Sequence, residues 1–422
     1  MVLPSRISIR PLRRAVSAVV RPPGSKSFTN RALVTAALAS GVSRLHDPLA
    51  ADDTDAMLSG LRSFGVSIDD NDDPWLVLGS GGELVVPLGP VDAGMSGTTA
   101  RFLLAVSALA QGGRVTITGR GRLLSRPQEE LIAALAGAGV QAESTDGRLP
   151  ITVSGPGRLA GGAITVNPSR SSQFVTALLL VAPLAATPVE LILSRPPVSR
   201  PYLTSTVEVM TAFGAEVDDL GDRFTINPTG YRSAEYSIEA DASAAAYPLV
   251  AAAITAGSVG VEGIPPTSTQ PDLALVEVLE SMGCTVRRTT HRLDLAGPPT
   301  LQPVDVDMNG APDAVLALAV ACLFAEGRSR IRNVGNLRLK ESDRLSGITN
   351  EIRRLGGFAE VEGDDLVLGP GQLRGAVIQT YDDHRMAMSL ALVGLRQPGV
   401  VIEHPEVVAK TWPGYFKMLS RL

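Results

Sequence analysis

Lysine is nearly missing from this chain: four residues are lysine, against 34 arginines among its 422 residues. Cysteine is scarcer, with only Cys284 and Cys322, both in apolar stretches. So few thiols exclude a disulfide framework and a zinc cluster, and they read as small core residues of a reducing compartment. Four scattered histidines without paired spacing point away from a structural metal. No apolar run reaches the roughly 18–20 residues of a membrane span. The start, MVLPSRISIRPLRRAV, has no apolar signal core and no cleavage site, so a cytoplasmic protein is expected. A net charge of −5 argues against nucleic acid as the main partner.

What is present is apolar material for large cores: 45% hydrophobic residues, enough length for two domains, and a mean hydropathy of +0.17. Three of the four lysines stand in dense polar motifs, Lys26 in PPGSKSFTNR, Lys340 in NVGNLRLKESDR and Lys410 in VVAKTWP, while Lys417 reads as surface charge. Lysine is a compact charge whose pKa can shift, which arginine cannot offer. The placement marks a site that handles anions and protons. Codon bias toward arginine would explain the scarcity but not the positions.

The chain also repeats itself. An alanine-rich helical end, a break and an alternating strand recur six times, as in AALASGVSRLHD, SALAQGGRVTITG and AAAITAGSVGVEG, with starts about 70 residues apart. Interleaved with these are five helices that end in glycine and enter a strand, at Gly65, Gly139, Gly214, Gly283 and Gly356. The sixth such helix, YFKMLSRL, has no strand after it, and the N-terminal ISIRPL could supply the missing one. Six units divide as three plus three, with crossings near residues 21–24 and 238–241, and two lobes joined by two strands imply a cleft and a hinge. A linear solenoid is the alternative. It is disfavoured because the polar motifs do not recur once per repeat.

Those motifs lie in turns and at helix starts. In PGSKSFTNRAL, Gly24 permits close backbone approach, Ser25 or Ser27 can cap the helix, and Lys26 and Arg31 add charge for an anion. The spacing is not that of a Walker A loop. GMSGTTARFLL places Gly97 before an apolar helix, LLSRPQEEL places Arg126 at a helix entry, NPSRSSQFV places Ser171, Ser172 and Gln173 at another, and VSRPYL carries Ser199 and Tyr202. Each alone reads as a helix cap before it reads as a site; five in one domain shift that balance. In the second half, Lys340, Glu341 and Arg344 fall within one turn of KESDRL, beside Asn336, and Glu341 and Arg344 can share a helical face. Asp313 stands at a helix start, and Asp383, His384 and Arg385 precede another. An exposed ion-pair lattice is the bland reading of KESDR. With Lys410, the cations of both halves suit two polyanionic small molecules. No nucleophilic triad or metal cluster is evident, so the chemistry expected is proton transfer and electrostatic stabilisation.

Taken in order, PGSKSxxNRAL, GTTAR, RPQ, SSQFVTALL, RPY, DASAAAY, PDAVLALA, NLRLKESDRL, DDHRMAMSLAL and AKTWPGYF resemble the EPSP synthase (3-phosphoshikimate 1-carboxyvinyltransferase) family of enolpyruvyl transferases, along nearly the whole chain. The resemblance implies an α/β (α+β) fold, a two-lobed inside-out α/β barrel of six repeated βαβαββ units, three per lobe. Residues 24–239 would form the inserted lobe, and 1–23 with 240–422 the other. It implies transfer of the carboxyvinyl group of phosphoenolpyruvate to the 5-hydroxyl of shikimate 3-phosphate in the shikimate pathway, by a monomer needing no metal or organic cofactor and inhibited by glyphosate. Carried over by motif, Lys26, Ser27, Arg31, Ser171, Ser172, Gln173, Ser199, Tyr202, Asp313, Asn336 and Lys340 would hold shikimate 3-phosphate. Lys26, Gly97, Arg126, Gln173, Arg344, Arg385 and Lys410 would surround phosphoenolpyruvate. Asp313 would take the hydroxyl proton, and Glu341 with Lys26 would protonate the methylene carbon.

The chain departs from the family pattern at Met95, where asparagine is common, so an amide contact on the phosphoenolpyruvate side is missing. The sister transferase acting on UDP-N-acetylglucosamine typically carries a cysteine where this chain has Gly121. A two-lobed binding protein for phosphorylated metabolites would explain the cations but not the carboxylates set among them.

Overall fold

The computed structural model describes residues 3–290 and 292–422. The chain divides into two compact units, Gly24–Ile238 and Met1–Pro23 with Glu239–Leu422.

One repeat shows how the others are built. Strand Gly162–Val166 leads through helix Gln173–Val181 to strand Val189–Leu193, then through helix Pro201–Ala212 to strands Val217–Asp219 and Arg223–Ile226. The first two strands pair in parallel, which requires the intervening helix as a crossover. The remaining pairings are antiparallel. The same order recurs in five four-stranded sheets, and the sixth has three strands. In that sixth sheet Val377–Ile378 pairs in parallel with Val401–Glu403, and Arg6–Ser8 closes it antiparallel, Arg6 opposite Glu403. The N-terminal segment thus supplies the strand that the last repeat lacks.

The crossings exchange strands in the same way. Ser17–Val20 precedes the first crossing yet pairs with Ser258–Glu262, while Glu235–Ser237 precedes the second and pairs with Ser40–His46. These returns make a solenoid impossible.

Within each repeat the two helices differ in kind. The first is wholly buried beyond its first residues: Lys26–Leu38, Gly97–Val106 and Gln173–Val181 in one unit, Ala242–Ile254, Val315–Leu323 and His384–Ala391 in the other. The polar residues these helices carry, such as Asn30, Arg31 and Arg101, are buried with the rest. The second helix is amphipathic, as in Arg344–Arg354, and covers one face of its sheet. The five helices expected to end in glycine do so with one geometry. Gly65, Gly139, Gly214, Gly283 and Gly356 all have positive φ, and in each case the glycine and the following residue donate back to carbonyls of the last turn, as Gly65 does to Arg62 and Val66 to Leu61. This is the double-bonded glycine stop that returns the chain to its sheet. Cys284 and Cys322 are buried and unbridged, and burial pushes their thiols up to about 11 and about 12.

One argument from sequence fails here. The polar motifs do recur once per repeat: KSFTNR, GTTAR, SSQ, DAS, PDA and DHR each stand at the start of a buried helix. What excludes the solenoid is the strand exchange.

Candidate active site

In the Gly24–Ile238 unit the predicted residues gather at the starts of the three buried helices and beside them. Lys26 opens the first, with Nζ 3.2 Å from Oδ2 of buried Asp53. Ser25 occupies the N-cap position, but neither serine caps: the helix has no side-chain cap bond, and Ser25 acts through its carbonyl, which accepts from the Thr29 amide and hydroxyl. Gly24 is bare because a Cβ there would overlap the Asp47 carbonyl. Its close approach is therefore to the chain itself.

Arg31 is buried one turn further on. Its Nε donates to Thr206 Oγ1 (2.8 Å), Nη1 to the Ser27 carbonyl (2.9 Å) and Nη2 to the Tyr202 carbonyl (3.3 Å), with the guanidinium 5.7 Å from the Phe102 ring centroid. Burial lowers its pKa to about 10, against the pull of Tyr202 and Tyr236. Arg31 therefore ties the KSFTNR helix to the RPY helix. The turn before that helix holds Ser199 at φ +54°, a backbone state that a non-glycine residue rarely adopts.

Gly97 opens the second buried helix, where Ser96 caps by accepting from the Thr99 amide. A Cβ on Gly97 would overlap the Arg126 guanidinium, so the missing side chain makes room for that cation. Gly121, in the loop before Arg126, has φ +57°, and a Cβ there would stand 3.3 Å from the Met95 sulfur. Ser172 is the N-cap of the third buried helix without a side-chain cap bond, and Gln173 donates through Nε2 to Thr98 Oγ1 (3.0 Å). Sequence reasoning did not single out Arg101, the arginine of GTTAR. It donates to Gln128, Ser171 and Gln173 and so joins three motifs.

The other unit carries a carboxylate–cation cluster. Asp313 Oδ1 lies 3.0 Å from Arg344 Nη1 and 3.5 Å from Lys340 Nζ, and its Oδ2 accepts from Arg385 Nη2 at 2.9 Å. Arg344 is 1% exposed and also pairs with Glu341 Oε2 and Asp383 Oδ2, each at 2.8 Å. Glu341 does not share a helical face with Arg344. The helix starts at Arg344, behind the N-cap Asp343, and Glu341 reaches Arg344 from the bend that precedes it. Burial opposes the charge on Arg344, but Asp383, Glu341 and Asp313 outweigh it and hold its pKa above the ordinary value. The same contest, led among the carboxylates by Asp313, leaves Arg385 raised too.

Asp383 is the cluster's organiser, a role its motif alone did not reveal. It caps the helix His384–Ala391 through the Arg385 amide and accepts from Ser342 Oγ and Arg344. Arg385 reaches Tyr247, which stacks edge-on with Tyr415, itself in edge contact with Trp412 of the AKTWPGYF segment that carries buried Lys410. Asn336, in the turn Gly335–Leu339, has both amide atoms buried with no hydrogen-bond partner among the described residues.

Five complete βαβαββ repeats and a sixth with three strands, which set cations and carboxylates at the starts of buried helices, define a repeated inside-out α/β architecture. The sequence profile of EPSP synthase (3-phosphoshikimate 1-carboxyvinyltransferase) matches residues 12–419, and the chain belongs to that family. Its relatives include the 3-phosphoshikimate 1-carboxyvinyltransferases of Nostoc punctiforme, 40% identical over 97% of both chains, and of Serratia proteamaculans, 43% identical over 96% of both. The EPSP synthase structure from Acinetobacter baumannii superposes with a TM-score of 0.82 at 26% identity, over 99% of this chain and 98% of that one.

Proposed function

We propose that this protein is a 3-phosphoshikimate 1-carboxyvinyltransferase. It transfers the carboxyvinyl group of phosphoenolpyruvate to the 5-hydroxyl of shikimate 3-phosphate and releases phosphate, as a cytoplasmic monomer without metal or organic cofactor. The observation that carries the reading is the Asp313 cluster: a carboxylate held by Lys340, Arg344 and Arg385, with a second carboxylate, Glu341, on the same guanidinium. A shared guanidinium fixes a proton acceptor and a proton donor in one frame, as addition across an enol requires.

The 5-hydroxyl oxygen bonds to C2 of phosphoenolpyruvate while its proton passes to Asp313. Glu341, aided by Lys26, gives a proton to C3. The resulting tetrahedral centre loses phosphate as the C2–O bond breaks, C3 returns a proton, and the double bond re-forms. Arg126, for which Gly97 leaves room, together with Arg344, Arg385 and Lys410, stabilises the charge on the carboxylate and the departing phosphate. Ser27, Arg31, Ser171, Ser172, Gln173, Ser199, Tyr202, Asn336 and Lys340 hold shikimate 3-phosphate, and the unpartnered Asn336 amide supports that assignment. Gly121 supports this acceptor over UDP-N-acetylglucosamine, because a cysteine there would need a left-handed backbone and would crowd Met95.

Phosphate release from phosphoenolpyruvate tests the reading. Release with shikimate 3-phosphate, and background with UDP-N-acetylglucosamine, upholds it. The reverse pattern assigns the sister activity, and background with both acceptors rejects the enzyme.

A further inference from the structure

We propose that Arg101 is a positioning residue that sets hydrogen-bond polarity in the Gly24–Ile238 unit, making Ser171 and Gln173 donors toward an anionic substrate. Arg101 is 3% exposed, and its guanidinium lies 4.9 Å from the Phe174 ring centroid. Its Nε donates to Oε1 of fully buried Gln128 at 3.1 Å, which fixes the plane of the guanidinium. Its Nη1 donates to Gln173 Oε1 at 2.6 Å and to Ser171 Oγ at 3.3 Å.

A guanidinium has donors only. The Gln173 carbonyl must therefore face it, which turns the amide NH2 the other way, to donate to Thr98 Oγ1 at 3.0 Å. The reversed amide would set an NH2 group against a cation. Ser171 Oγ also accepts from the Gln173 backbone amide at 3.3 Å. With two donors directed at its oxygen, the hydroxyl hydrogen is the function left to engage a ligand. Arg101 thus occupies the acceptor side of both residues, and an anion needs donors. Lysine could not replace it, since a point charge lacks the planar fork that serves Gln128, Gln173 and Ser171 together.

The inference rests on the proposed substrates only for the identity of the anion. Its test is a mutant cycle read by calorimetric titration of shikimate 3-phosphate, with inorganic phosphate titrated alongside and Tm recorded for every variant. Arg101→Met keeps bulk over Phe174 and removes the donors. It should weaken binding by about tenfold or more, the scale of lost charge-assisted bonds, and Arg101→Lys should not restore it. In the Ser171→Ala/Gln173→Ala background the same change should cost less than about twofold, because Arg101 then has nothing to orient. An equal loss in both backgrounds, or wild-type affinity in Arg101→Met, overturns the inference. Coupling seen with phosphate, without binding of shikimate 3-phosphate, would keep the positioning role and defeat the substrate reading instead.

Discussion

Asp313 concentrates the chemistry into one side chain, and its surroundings say how to separate its roles. Three cations hold its oxygens, so asparagine in its place would keep shape and one acceptor but could not take a proton. Asp313→Asn should bind shikimate 3-phosphate within about tenfold of wild type and lose about 100-fold or more in turnover. Isothermal titration and steady-state rates check this; lost affinity with intact turnover would make Asp313 a ligand and not a base. Gly97 makes a second case. An added methyl would displace the Arg126 guanidinium. Gly97→Ala should therefore raise the Michaelis constant for phosphoenolpyruvate by about tenfold or more, and should add little in an Arg126→Gln background. Independent, additive losses would separate the two residues. Which residues belong together was largely legible at this scale, because the motif strings put the charged groups at helix starts. Who partners whom was not. Asp53 behind Lys26, Asp383 behind Arg344, and Arg101 behind Gln173 are set by tertiary packing, and their partners lie 27, 39 and 72 positions away.

At the scale of elements, the switch from period 3.6 to period 2 across a glycine revealed the repeat, because a left-handed residue is the cheapest way to stop a helix and reverse into a sheet. The same glycines give a graded test. Gly139 has φ +80° and open space around the position of a Cβ, whereas at Gly356, φ +87°, a Cβ would overlap the Gln372 carbonyl. Gly139→Ala should cost about 1–2 kcal/mol from backbone strain alone, and Gly356→Ala about 3 kcal/mol or more, in urea unfolding followed by circular dichroism. Equal costs would show that strain decides both positions. Capping was less legible. Ser25 and Ser172 hold N-cap positions without side-chain cap bonds, while Ser96, Asp241, Asp343 and Asp383 do cap. Sequence offers a serine at or beside each of these starts except that of His384–Ala391, and only the three-dimensional neighbours decide which hydroxyl turns inward.

For the molecule as a whole, topology was read from a shortage: five strand-entering glycine helices for six repeats, with ISIRPL as the spare strand that Arg6–Ser8 indeed supplies. The exchange of Ser17–Val20 and Glu235–Ser237 across the crossings left no local mark, since each strand looks like any other until its partner is known. Global stability should also carry the imprint of a buried acid outside the proposed reaction. Asp272, at the turn Pro271–Leu273, accepts from Ser243 and faces Asp313, Asp241 and Arg385; burial and Asp313 raise its pKa to about 6. A carboxyl that binds its proton more tightly when folded favours the native state at low pH and loses that contribution as pH rises from about 4 through 6. Asp272→Asn should thus raise Tm at pH 8 by about 2–4 °C, the equivalent of about 1 kcal/mol, with the gain shrinking toward pH 4. A gain independent of pH would mean that Asp272 does not titrate in this window.

The central claim is transfer by addition and elimination, with a proton delivered to C3 of the enol. Running the reaction in deuterium oxide and reading the product by proton and phosphorus NMR tests it in one measurement. The account predicts inorganic phosphate and an enol ether of shikimate 3-phosphate in equal amounts, with deuterium in the vinylic positions, because C3 gains a solvent-derived proton and then loses one of three. Phosphate accompanied by pyruvate without the enol ether, or an enol ether free of deuterium, would contradict it.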